Sequence, residues 1–209
     1  MNLTGFRMPA EWAPHRATWI AWPHNRADWP GRFGPIPWAY GEIVRVLSRN
    51  ERVRILVKDA AAQQTAKGLL TKVGVELKQV DFFRIPTDRV WTRDSGAIFV
   101  VDGKGGRIAT HWTFNGWAKY PNHKKDDLVA GRMARAARVP EFKVRDVVME
   151  GGAIDVDGRG TLLATEECLL SDVQARNPGL VRACSEGVFH EVLGIRRVVW
   201  LDRGIVGDD

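Results

Sequence analysis

The feature that most constrains this chain is a change of hydrophobic period that recurs along it. Val53-Arg54-Ile55-Leu56-Val57 is a short apolar run, too short for a helix and right for a buried strand. Directly after it, Ala62, Ala66, Leu69, Leu70 and Val73 fall on one helical face. Before it, Tyr40, Ile43, Val44 and Leu47 stand at i, i+3, i+4 and i+7. Ala17 to Trp22, "ATWIAW", is again strand-like. Strands and amphipathic helices that alternate in this way bury their apolar faces on one another, which predicts an α/β or α+β fold.

The pattern continues. Gly96 to Val100 reads as a strand, with Arg107 to Phe114 as its hairpin partner across "DGKGG". Leu128, Val129, Met133 and Ala137 mark a third helix. Val147 to Thr165 is strand material broken by glycine pairs, Leu180 to Leu193 is a helix, and Arg196 to Leu201 is a last strand. Pro23 to Pro37 is a long Pro/Gly-rich loop of the kind that often carries function. We expect a single domain over residues 1–209. No sequence repeat is evident, though the spacings are compatible with a weak repeat of strand-helix-strand units. The chain stops on "DRGIVGDD", just after a core-like strand, which gives the expectation of an incomplete domain.

Composition narrows the partners. With 44% hydrophobic and 27% charged residues the chain is globular in character. The formal charge of +6 invites a nucleic-acid reading, but the cations are scattered, with no run longer than Lys124-Lys125 or Arg196-Arg197. A solvated surface is the better reading, and no nucleic-acid partner is expected. No stretch approaches the ~20 apolar residues of a membrane span, and no signal-like core opens the chain, so a cytoplasmic protein without a membrane partner is expected.

Three places carry candidate chemistry. Trp91-Thr92-Arg93-Asp94 puts an aromatic, a cation and an anion at the mouth of a strand. A carboxylate there can fork a guanidinium, and an indole face adds cation–π attraction. A strand-end ion pair between Asp94 and Arg93 would give the same spacing. Glu150, before Gly151-Gly152, could orient a histidine or simply be a turn acid. Asp208-Asp209 could meet a cation or be a solvated end. Cys168 follows Glu166-Glu167, whose charges oppose thiolate formation, and Cys184 falls on an apolar stripe with Val181, Val188 and Val192, so both read as structural. His15, His24, His111, His123 and His190 lack metal-ligand spacing, and we expect no metal. Gly103, Gly105 and Gly106 belong to a hairpin turn and not to a phosphate loop.

Taken together, "MPAEWAPHRATWIAWP", "VWTRDSGAIF", "TFNGWAKY", "EGGAIDVDGRGTLLATEECLLS", "RNPG" and "VVWLDRGIVGDD" resemble agmatine deiminase and the related bacterial peptidylarginine deiminases, from Met8 to Asp209. The resemblance implies a pentein-type α/β propeller, with about three of its five blades in this chain. It implies hydrolysis of a guanidinium group through a covalent cysteine intermediate, with no cofactor. The substrate would be a small cationic guanidino compound such as agmatine, which goes to N-carbamoylputrescine and ammonia in putrescine biosynthesis. By the same resemblance, Asp94 holds the guanidinium and Trp91 walls it. Glu150 supports the catalytic histidine, Asn115 and Trp117 lie near the pocket, and Asp209 reaches toward the substrate. The family's Gly-His-x-Asp motif and late nucleophilic cysteine have no counterpart here, so the chain is expected to be inactive alone. A homo-oligomer of the full-length protein is compatible with all of this. Two other readings stand beside it: an arginine or peptidylarginine deiminase, and a non-catalytic propeller-type binding module. "THWTFNGWAKYPNH" offers Lys119 but no arginine for a substrate carboxylate, which favours agmatine over arginine.

Overall fold

The computed structural model describes residues 3–206. The chain is α/β and divides into two compact units: Pro14–Thr92, and the flanking Met1–Ala13 with Arg93–Asp209.

The unit Pro14–Thr92 holds a parallel sheet of β1 (Ala17–Ala21), β2 (Arg52–Val57) and β3 (Val80–Arg84), in that order. Helices α1 (Ile36–Leu47) and α2 (Ala60–Lys72) make the crossovers that parallel strands require. Asp59 caps α2 by accepting the Ala62 N–H at 2.8 Å. Val44, Val53, Ile55, Val57, Ala66 and Leu70 form the core. The long loop ends earlier than expected: Pro37 lies in the first turn of α1, where its missing N–H costs nothing. Strand β3 was not anticipated, because its "VDFFR" lacks a clean alternation.

The other unit holds two three-stranded sheets of like topology. In the first, β4 (Ile98–Val101) and β5 (Arg107–Thr113) form an antiparallel hairpin, and β6 (Glu141–Val148) joins β5 in parallel. In the second, β7 (Ile154–Val156) and β8 (Thr161–Thr165) pair antiparallel, and β9 (Arg197–Leu201) joins β8 in parallel. Between these hairpins and their third strands the chain runs through three further helices. Helix α4 (Val129–Ala137) lies before β6, and α5 (Glu166–Leu169) and α6 (Arg182–Leu193) lie before β9, while the single turn α3 (Thr92–Ser95) precedes β4.

This parallel topology exposes a sequence repeat. Asp94-Ser-Gly-Ala-Ile98 matches Glu150-Gly-Gly-Ala-Ile154, and Val101-Asp-Gly-Lys-Gly105 matches Val156-Asp-Gly-Arg-Gly160. The second copy is one residue shorter between these blocks, which hides the period. The turns work alike: Asp102 accepts the N–H groups of Lys104 and Gly106 at 2.7 and 2.8 Å, and Asp157 those of Arg159 and Thr161 at 2.7 and 2.9 Å. One consequence reaches the chemistry, since Asp94 and Glu150 occupy equivalent positions of the two copies.

An N-terminal strap joins the first sheet to α6. Arg7 and Val101 exchange backbone hydrogen bonds at 2.9 Å, and the Met8 N–H donates to Leu193 O at 2.9 Å. Under the strap, a Cβ on Gly158 would lie 2.6 Å from Ala10 N. Its repeat partner Gly103 has nothing nearer than 3.9 Å, yet φ is +69° at Gly158 and +74° at Gly103. Alanine at either position is therefore strained by about 1–2 kcal/mol, but only Gly158→Ala adds an overpacking cost of about 1–3 kcal/mol. Urea melts of the two variants should show the larger loss for Gly158→Ala. Equal losses would mean that the strap yields freely.

Two smaller expectations are corrected. Cys184 is exposed and not a buried hydrophobe, and so is Val181. The inward face of α6 is Ser185, Phe189, Val192 and Leu193, one step round from the stripe read in the sequence. Leu128 is also exposed, because it ends a 3-10 turn ahead of α4.

Candidate active site

Asp94 sits in the single turn α3. Its neighbour Arg93 fixes that turn. The Arg93 guanidinium donates to Gly151 O at 2.9 Å, to Ile154 O at 3.3 Å and to Glu11 Oε1 at 2.6 Å. Those contacts bind α3 to the start of the second repeat copy and give Arg93 a partner other than Asp94. Asp94 instead accepts the Gly152 N–H at 3.1 Å and the indole N–H of Trp117. The two glycines after Glu150 are there for this approach: a Cβ on Gly151 would overlap Arg93 O, and one on Gly152 would overlap Asp94 Oδ1. What comes close to them is the α3 turn.

Trp117 is aimed by an unusual loop. Gly116, Trp117 and Ala118 are consecutive left-handed residues, with φ of +68°, +61° and +54°. Two of them carry a Cβ, and each such residue costs about 1–2 kcal/mol. Asn115 offsets part of this by accepting the Ala118 N–H at 2.9 Å, and the Phe114 ring meets the indole edge-on at 5.0 Å. Asn115 also donates to Arg176 O at 3.4 Å. Trp117 thus supports Asp94 directly, and Asn115 holds the loop that carries Trp117, roles that the spacing alone could not assign.

Glu150 is 2% exposed and precedes the 3-10 turn Gly151–Ala153. Arg176 Nε donates to its Oε1 at 3.4 Å. Burial pushes the Glu150 carboxyl up, Arg176 pulls it down, and Asp94 pushes it up again. Burial likewise pushes Asp94 up against the pull of the Gly152 N–H, the Trp117 indole, Arg93 and Arg176. The result is two mutually repelling carboxylates, the half-buried Asp94 and the buried Glu150, with the largely covered Arg176 guanidinium acting on both. Such a cluster suits a second, planar cation.

The other expected residues fall elsewhere. Trp91 belongs to the unit Pro14–Thr92, where the residue is 47% exposed. Asp209 and Asp208 lie outside the described residues. All five histidines have structural partners: Glu51 for His15, backbone carbonyls for His24, His123 and His190, and Glu141 with Asp127 O for His111. Among the described residues, no three His, Cys, Asp or Glu side chains converge as a metal-ligand set. No described helix is long and apolar enough to cross a membrane. Sequence reasoning missed Arg176. Its one signal was membership of "RNPG", a stretch without charge neighbours to draw attention.

The sequence profile of the Porphyromonas-type peptidyl-arginine deiminases matches residues 7–209. The chain belongs to that family. Among relatives of this deiminase-family chain, the agmatine deiminase of Ectopseudomonas mendocina is 37% identical over 210 residues, covering 98% of this chain and 55% of its own length. The agmatine deiminase of Stutzerimonas stutzeri is 35% identical over the same coverage. Among solved structures, the agmatine deiminase of Enterococcus faecalis superposes with a TM-score of 0.88 at 30% identity, covering 96% of this chain and 54% of that one. A C. jejuni agmatine deiminase with substrate bound gives 0.84 at 29% identity, covering 98% and 58%. The chain thus spans about half the length of the curated relatives that it matches.

Proposed function

We propose that this chain supplies the guanidinium-binding half of an agmatine deiminase. In this reading residues 1–209 belong to one pentein-type propeller domain, and each three-stranded sheet is one blade of five. Asp94 forks the guanidinium in two parallel hydrogen bonds and keeps it planar. Glu150 stands ready to orient the imidazole that protonates the departing ammonia. The family resemblance adds Trp91 and Asp209 to the substrate's surroundings. It also assigns bond cleavage to a cysteine nucleophile and a histidine acid that have no counterpart among residues 1–209, so these residues bind without hydrolysing. No cofactor, nucleic acid or membrane enters this reading.

One observation carries it: the half-buried Asp94 carboxylate, held by a backbone N–H and an indole N–H, faces the buried carboxylate of Glu150. A site for an anion would not be built from two acids. Arginine or peptidylarginine remains the second reading, favoured by membership of the Porphyromonas-type peptidyl-arginine deiminase family. Calorimetric titration of the 209-residue protein with agmatine, arginine and putrescine separates the cases. Agmatine should bind, arginine more weakly, and putrescine, which lacks the guanidine, hardly at all. No ammonia should be released. Equal binding of putrescine would overturn the guanidinium seat, and tighter binding of arginine would shift the substrate.

A further inference from the structure

We propose that Arg176 is a positioning residue that sets the charge of this seat, neutralising one carboxylate so that both remain ionised and the cluster carries a net −1. The inference rests on the reading above and extends it to a residue outside the expected site.

Arg176 is anchored from several sides. Its Nη1 donates to Gln174 O at 3.2 Å, and its own carbonyl accepts from Asn115 Nδ2 at 3.4 Å. The next residue, Asn177, grips Val148 through both the N–H and the C=O, each at 2.7 Å, two residues before Glu150. The backbone of "RNP" is therefore tied to the end of β6, and the guanidinium, with a side chain only 13% exposed, points at Glu150. The same residue touches both halves of the site: its backbone holds Asn115, which shapes the Trp117 loop, and its side chain holds Glu150.

The charges follow from the neighbours. Glu150 faces Arg176 and Asp94. Asp94 faces the Gly152 N–H, the Trp117 indole, Arg93 and Arg176. Arg93 is committed to Glu11 and to two backbone carbonyls. Without a cation against them, a buried and a half-buried carboxylate facing each other would share a proton and titrate as a pair. A shared proton leaves one neutral acid, which is a poor partner for a guanidinium. With Arg176 against Glu150, two ionised acids and one guanidinium leave a single negative charge, matched to the one charge of a guanidinium group and repelling anions.

The test compares wild type, Arg176→Met and Arg176→Lys. Carbon-13 NMR of labelled Glu and Asp carboxyls is read against pH, with Glu150→Gln to assign the signal, beside calorimetric agmatine titrations at several pH values. In Arg176→Met the Glu150 carboxyl should titrate at higher pH. Its agmatine affinity at neutral pH should drop about tenfold or more and recover as pH rises. Arg176→Lys keeps the charge and should restore much of the wild-type profile. A merely structural arginine would lower affinity equally at all pH values, with the Glu150 titration unmoved, and that outcome overturns the proposal. Tighter agmatine binding by Arg176→Met also overturns it, since Arg176 would then be a tenant competing for the seat. If Arg176→Met fails to fold, Arg176→Lys and Arg176→Gln, read by the same titration, decide the matter. If wild type binds no agmatine the deiminase reading fails, while the NMR titration still decides what Arg176 does to Glu150.

Discussion

Gly152→Ala is expected to abolish agmatine binding by this chain while leaving its stability nearly unchanged. The added Cβ would occupy the place of Asp94 Oδ1. Gly152 has no left-handed backbone to lose, since it is absent from the positive-φ glycines, so the effect is one of space alone. The atom in the way ends a side chain that can rotate. Asp94 therefore swings off the Gly152 N–H and off the Trp117 indole, and the fork is gone. Loss of a charge-assisted fork between binding partners costs about 2–5 kcal/mol, a factor of about thirty or more in affinity.

Gly151→Ala is its control. There the obstruction is the backbone carbonyl of Arg93, which moves only if the whole turn moves. That turn is tied down by three hydrogen bonds of the Arg93 guanidinium. Gly151→Ala should lose about 1–3 kcal/mol of stability by overpacking, seen as a lower urea midpoint. Calorimetry and urea melts on both variants give the result. If Gly152→Ala binds agmatine like wild type, Asp94 is not the guanidinium acid.

The sequence was most legible where one side chain reports one neighbour. Val53 to Val57 and the stripe of Ala62, Ala66 and Leu70 became a strand and its covering helix, because the apolar period is a direct image of burial. Asp102 announced its turn, since a hairpin aspartate acts within four residues. What stayed hidden depends on contacts far apart in the chain. The reason for glycine at 151 and 152 stayed out of reach, because Arg93 and Asp94 are 58 residues away. Arg176 looked like any surface arginine until the grip of Asn177 on Val148 turned it toward Glu150. The likeness of Asp94 and Glu150 was masked by a single missing residue between two repeat blocks, and topology restored it.

Acidification should move stability and binding in opposite directions. Burial holds the Asp94 and Glu150 carboxyls above their ordinary values of 3.8 and 4.5. Just above those values the folded chain keeps protons that the unfolded chain has released. Stability contributed by these groups therefore rises as pH falls from neutral through that window, and is lost again as pH rises. Asp28, also pushed up by burial, acts in the same sense. A guanidinium needs the ionised acids, so agmatine affinity should fall across the same window. Below it the trend of stability reverses. Asp102 and Asp157 are held under 3.8 by the N–H groups of their hairpin turns, and what they contribute is present above the ordinary value and lost as pH drops beneath it. Thermal melts over about pH 3 to 8 should thus pass through a maximum on the acid side of neutral, where agmatine binding is already weak. A melting temperature that declines steadily from pH 7, or an agmatine affinity that is flat down to pH 4, would show that the two carboxyls are not the strained, repelling pair that gives this seat its hold on a cation.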